Sequence, residues 1–159
     1  MGEFEDFGFY IKKINDTLVA QANAQFKRLD ITYAQMEVMF FLLGQAGMWA
    51  TQKDIEAHFH LKHSSVIGLL QRMRAKGLIE VRVNPQDHRG RDVFLLDKAL
   101  KIRDEMYRTR QEVEAHITNY LTREQMEQLT GLLAVFYSAI RNREEEPQAR
   151  PDVGNLESL

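Results

Sequence analysis

Two groups of side chains in the middle of this chain have the types and spacing to read a nucleic-acid duplex. One is the run Lys62, His63, Ser64 and Ser65, followed at helical spacing by Gly68, Gln71 and Arg72. Short polar side chains let a helix sink into a major groove, and cationic ones pair there with base edges or phosphates. Gly68 fits the same purpose. Glycine costs about 1 kcal/mol relative to alanine inside a helix, and a backbone lying close to another surface is one reason to carry it. The other group is Asp87, Arg89 and Arg91, in the string Asn84-Pro85-Gln86-Asp87-His88-Arg89-Gly90-Arg91. A guanidinium suits a narrow minor groove, and a carboxylate two residues before it could orient it through a bidentate pair. Thr51 and Lys53, where the preceding helix begins, complete the set. Each part alone has a plainer reading: a solvated helix face, a tolerated glycine, a surface ion pair worth little. Together they favour double-stranded DNA. The alternative is a winged-helix module that docks on protein without touching DNA.

The elements that must hold these groups are legible from periodicity. Apolar residues at Phe7, Ile11, Ile14, Leu18, Ala22, Phe26 and Leu29 predict a first helix over residues 7–29. Thr32 caps a second, over 33–43, which Gly44 and Gly47 end. Thr51 with Asp54 starts a short third helix to about Phe59, and Leu61 opens the turn. The fourth runs over 63–76 with Val66, Leu69, Leu70 and Met73 inward and Gly77 as its stop, so its other face is outward. The β-branched strings 79–83 and 91–96 predict a hairpin. After Asp97 a single long helix is expected through Tyr120. Thr122 and Gln125 then cap a last one carrying Met126, Leu129, Leu133, Phe136 and Ile140. That seam wants another helix against it, in a partner chain or within the chain as an antiparallel pair.

The formal charge of −2 hides a polarity. Between Thr51 and Arg91 the chain carries eight Lys or Arg against four acids, a local +4, while Glu3, Glu5, Asp6 and the stretch from Glu144 onward supply acid. That last stretch, 144–159, has too little apolar content to order itself and is predicted to be a disordered acidic tail. The absence of cysteine excludes disulfides, thiolate zinc sites and cysteine redox sensors. No phosphate-cradling loop, HExxH or nucleophile elbow is present, so neither catalysis nor a cofactor is expected. His58, His60 and His63 lie near one another in sequence but straddle a helix end and a turn, and no metal site is expected from them. The longest apolar run is far too short to cross a bilayer, and a soluble, cytoplasmic chain is expected. Aromatic residues of the N-terminal half, among them Phe26, Tyr33 and Phe40, serve either as core or as walls of a ligand pocket.

The string Asp54-Ile55 to Leu61, then Ser64-Ser65-Val66, Leu69, Met73, Lys76-Gly77-Leu78-Ile79 and the Asp87-His88-Arg89 tip resembles the winged helix-turn-helix of the MarR family of bacterial transcriptional regulators. The likeness covers roughly residues 7–142. It implies a mainly helical fold of six helices plus a two-stranded β-hairpin wing, in an intertwined homodimer. Residues 1–31 and 97–143 would then be the dimerisation helices and 32–96 the DNA-binding lobe. It implies further that Arg89 enters the minor groove, that Asp87 holds it, and that residues 62–65 face the major groove. The implied function is a sequence-specific regulator, of repressor type, on a pseudo-palindromic operator, released by a small aromatic or anionic ligand. Leu95-Leu96 and Ala99 stand where the family has Leu-Thr and a glycine, which puts the start of the fifth helix in doubt.

Overall fold

A buried helix sits at the centre of the N-terminal part of the chain, and the other elements are arranged on it. The computed structural model describes residues 6–145. Helix α1 spans Phe7–Phe26 and passes into a 3-10 turn at Lys27–Leu29. The central helix α2, Tyr33–Leu43, buries Gln35, Met36, Val38, Met39 and Leu42, and so has apolar contacts around most of its circumference. Thr32 and Gln35 cap it reciprocally: the Thr32 hydroxyl accepts from Gln35 N at 3.2 Å, and Gln35 Oε1 accepts from Thr32 N at 3.1 Å. These are two of the donors that every helix start must satisfy.

Helices α3, Gln52–Phe59, and α4, His63–Ala75, form the helix-turn-helix. His60, in the left-handed region at φ 50°, makes the turn between them. Gly77, at φ 70°, ends α4 in a Schellman arrangement: its N–H donates to Arg74 O, and Leu78 N–H donates to Met73 O at 3.1 Å. Met73 and Leu78 are both fully buried, the apolar contact that accompanies such a stop. Lys76 Nζ then reaches the carbonyl of Asp30, at 2.5 Å, and so ties the end of α4 to the turn before α2.

The expected hairpin is present, and a third strand extends it into a three-stranded antiparallel sheet. Strands β2, Ile79–Val83, and β3, Arg91–Leu95, pair as anticipated, and β1, Trp49–Thr51, adds to the other edge of β3, giving the order β1-β3-β2. Trp49 pairs with Phe94 in register and stacks on it at 5.7 Å between ring centroids. Three residues are too few to show alternation in a sequence, which is why no strand is predicted at β1.

The long helix expected after Asp97 is broken. Helix α5, Asp97–Lys101, ends at Ile102 with φ −96° and ψ 0°, and α6 runs Arg103–Thr118, so the described residues form seven α-helices where six were expected. Leu96 at the N-cap of α5 supplies no side-chain acceptor, as its apolar character dictates, yet the helix starts at Asp97 and Ala99 is fully buried beneath it. On α6 the buried stripe is Met106, Thr109 and Val113. Thr109 satisfies its hydroxyl by donating to Glu105 O at 2.9 Å and accepting from Arg28 at 2.7 Å.

The first compact unit ends at Ile117 and a second begins at Thr118. In the second, α7 spans Arg123–Glu145, capped by Thr122 and Gln125 as expected. Its apolar side, including Leu129, Leu133 and Ile140, is exposed within the chain. Residues 144 and 145, expected to begin a disordered tail, belong to this helix, and the rest of that predicted tail lies outside the described residues. Among the described residues no helix is long and apolar enough to cross a membrane.

Candidate nucleic-acid interface

The outward face of α4 is set by what its inward face must bury. Val66, Leu69, Leu70 and Met73 are in the core, so Lys62, His63, Ser64, Ser65, Gln71 and Arg72 are exposed. Gly68 is half-buried, and a Cβ built there would meet only the tip of Arg72, at 3.4 Å. Among the described residues nothing therefore requires glycine at that position.

The start of α3 is held by a capping box: Asp54 N donates to the Thr51 hydroxyl at 3.1 Å, and the Asp54 carboxylate accepts both Thr51 N, at 3.0 Å, and the Thr51 hydroxyl, at 2.6 Å. The Thr51 side chain is thus committed to the cap, and Lys53 beside it is exposed. One turn further along, the Glu56 carboxylate bridges to α4. It accepts from Gln52 Nε2 at 2.9 Å and lies 2.6 Å from His63 Nδ1. The Gln52 amide, and after it the His63 imidazole, hold the Glu56 carboxyl below the usual carboxylate range. His63, expected as a DNA contact, is thereby tethered to α3 through one ring nitrogen.

The wing tip is organised by Asn84, which sequence reasoning did not single out. Its amide nitrogen donates to both oxygens of the buried Asp92, at 3.0 and 3.2 Å, and its amide oxygen accepts from Gln86 N and Asp87 N. Asp87 has a different partner from the one anticipated. Its Oδ1 accepts the backbone N–H of Arg89 at 3.0 Å, so the carboxylate fixes the tip backbone and leaves the Arg89 guanidinium to solvent. A backbone N–H two residues on is the nearest donor that a tight turn brings to an aspartate, which is why this Asx-type bond wins. Gly90 closes the tip: a Cβ there would lie 3.2 Å from Asp87 O. Arg91 donates through Nη1 to the carbonyls of His88 and Gly90, at 3.1 and 3.0 Å.

Between these parts lies a groove of about 430 Å³, floored by Ile67, Leu70 and Val81. It brings together Thr51, Lys53, His63, Asp87, Arg89 and Arg91 of the residues singled out in the sequence. Lys62, Ser64, Ser65, Gly68 and Arg72 do not line it but lie on α4 beside it. Arg74 does line it, and sequence reasoning missed it. The signal was present, since Ile67, Gln71 and Arg74 follow one another at steps of four and three. Lys53, Arg74, Arg89 and Arg91 stand against Glu56 and Asp87, so the lining is net positive. On strand β2, by contrast, Arg82 is engaged by Glu80 at 2.6 Å and by the ring of Phe94 at 4.7 Å. That pair lowers the Glu80 carboxyl and raises the Arg82 guanidinium from their ordinary ranges.

The three neighbouring histidines have separate surroundings. His58 lies tilted against Phe41 at 4.4 Å and meets Phe59 edge-on at 4.7 Å, His60 occupies the turn, and His63 faces Glu56. Among the described residues no group of three or more potential ligands is gathered around a metal position.

The chain's residues 29–90 match the model of the MarR family. The HTH-type transcriptional repressor IacR of Pseudomonas putida is 23% identical over 134 residues, 84% of this chain and 79% of its own length. Among solved structures, the S. aureus MepR-DNA complex superposes with a TM-score of 0.75 at 23% identity, covering 84% of this chain and 97% of the other. A cysteine-to-serine mutant of MarR from E. coli, complexed with operator DNA, gives the same TM-score at 24% identity, covering 86% of this chain and 99% of its own. The winged-helix fold is common to this chain and the two solved structures.

Proposed function

We propose that the chain, whose residues 29–90 match the MarR family model, is a member of that family and a DNA-binding transcription regulator of repressor type. The observation that carries this reading is the cationic groove between α4 and the wing, with Arg89 exposed at its rim and the small residues Ser64, Ser65 and Gly68 on the helix face beside it. A recognition helix of that make-up suits a major groove and the wing arginine the adjoining minor groove. The two relatives solved with DNA support the reading.

The regulator acts as a homodimer on a pseudo-palindromic operator, with half-sites about one helical turn apart. Support comes from two surfaces with exposed apolar side chains among the described residues. One is the start of α1 with Tyr10, Ile11 and Ile14, and the other is the side of α7 with Leu129, Leu133 and Ile140. A small aromatic or anionic effector has a place to bind in a cavity of about 190 Å³ where Leu18, Phe26, Tyr33 and Val113 are the walls and Arg110 the cation. Burial and the neighbouring Glu37 raise the Tyr33 phenol above its usual range, so it presents a neutral O–H. Such a regulator works in the cytoplasm.

The test is a titration against a duplex that the protein itself enriches from a random library, at two salt concentrations. The association constant should fall steeply with salt as phosphate contacts displace counterions. Affinity indifferent to salt would favour the other reading, a winged-helix module that docks on protein. Melting-temperature shifts with a panel of aromatic carboxylates test the effector arm, and their absence would leave a ligand-independent DNA binder.

A further inference from the structure

His63 is the first residue of α4, and Glu56 lies on the preceding helix with Oε1 2.6 Å from His63 Nδ1. Gln52 Nε2 sits 3.1 Å from the same ring nitrogen while donating to Glu56 at 2.9 Å. A carboxylate only accepts and an amide nitrogen only donates, so the short contact decides the tautomer: Nδ1 carries the proton and donates it to Glu56. The polar atom left to the ring is Nε2. The imidazole is 69% exposed, against 21% for the Glu56 side chain, and it lines the groove.

We propose that Glu56 is a positioning residue that turns Nε2 of His63 toward the docked duplex, and that docking is coupled to uptake of one proton at Nε2. The inference rests on the DNA-binding reading above. In the neutral ring Nε2 offers a lone pair, which is repelled by the acceptors a duplex presents, phosphate oxygens and guanine N7 and O6. A proton from solvent forms an N–H bond at Nε2 and leaves water where the hydronium was, which turns the ring nitrogen into a donor; no bond between heavy atoms changes. The duplex, with one negative charge per about 1.7 Å of its axis, favours that charge. Glu56, on the other side of the ring, balances it. Asp87 acts in the same sense across the groove, while Lys53, Lys62, Arg74, Arg89 and Arg91 oppose it.

The bound state holds more protons, so affinity is greatest at low pH and is lost as pH rises. Fluorescence anisotropy with the library-enriched duplex, at fixed ionic strength from pH 5.5 to 8.5, should show wild-type affinity rising as pH falls. The limit is about tenfold per pH unit per chain, the linkage slope for one proton. His63→Gln should bind with most of that slope gone, while His88→Gln should keep it. Glu56→Gln should lose affinity chiefly at the acid end, where the imidazolium needs its counter-charge. Long-range 1H–15N spectra of the wild type should show His63 protonated at Nδ1 alone when free and at both nitrogens on DNA. A flat wild-type profile with salt-dependent binding intact would overturn the proposal and spare the DNA-binding reading. An unchanged slope in His63→Gln, or an equal loss at every pH in Glu56→Gln, would do the same. Absence of salt-dependent binding at any pH would instead overturn that reading itself.

Discussion

Asn84, one residue past β2, donates its side-chain amide to both carboxylate oxygens of Asp92 in β3. Asp92 is 7% exposed, so this amide is what keeps its charge solvated inside the sheet. The same side chain accepts the backbone N–H groups of Gln86 and Asp87, so one residue holds the wing tip to the strand behind it. Asn84→Ala should cost about 1 to 3 kcal/mol by leaving a buried acceptor without its donor. It should also weaken DNA binding, because the tip that carries Arg89 loses its anchor. Urea unfolding and duplex titration read the two effects separately, and a variant of unchanged stability would show that water replaces the amide.

Arg89→Ala removes an exposed guanidinium whose tip backbone is fixed independently by Asp87. Stability should be unchanged. Affinity should fall by about 1 to 3 kcal/mol and the salt slope by about 1 per chain. Equal affinity before and after the substitution would remove the wing from the interface.

Gly68→Ala separates folding from binding by sign. The methyl group has room within the chain, and alanine favours a helix over glycine by about 1 kcal/mol, so the variant should melt higher. If α4 docks closely at this point, the same methyl group should weaken binding to the duplex. A variant both more stable and equally tight would mean that Gly68 stands clear of DNA.

Leu133→Asp places a charge in the middle of the exposed apolar side of α7. On the proposed homodimer, sedimentation should show the wild type at twice the mass of one chain and the variant at the mass of one. An equal mass for the two would remove this side of α7 from the proposed contact.

Glu56 makes a prediction about stability as well as binding. Its carboxyl is held below the usual carboxylate range when folded, so it stabilises the protein fully above that range, near pH 4.3, and less as pH falls through the folded value. Glu56→Gln lacks this contribution. Urea midpoints measured from pH 3 to 7 should therefore show wild type and variant farthest apart at neutral pH and converging in acid. A constant gap across the range would mean that Glu56 acts through packing alone.

The parts of this protein that were legible in advance are those whose bonds close over a few residues. The cap at Thr32 and the pairs Thr51 with Asp54 and Thr122 with Gln125 close within three positions, and Gly77 stops α4 through its own N–H and that of Leu78. Helix positions followed because burial on one face repeats every three to four residues. Strand β1 did not follow: its register is set by β3, whose Phe94 lies far along the chain from Trp49. Nor did the break at Ile102, since an apolar stripe continues in period across it.

By itself, then, the sequence determined which helix would be outward-facing, which residue types it would present and where the wing arginines would stand, because hydrogen-bond chemistry and side-chain periodicity are local. The tertiary structure alone decided that Asp87 grips backbone rather than guanidinium, that Arg74 joins the groove, and that Glu56 meets His63. Those pairings depend on how α3, α4 and the wing are packed, and distances between elements are fixed by the whole core rather than by neighbours in the chain.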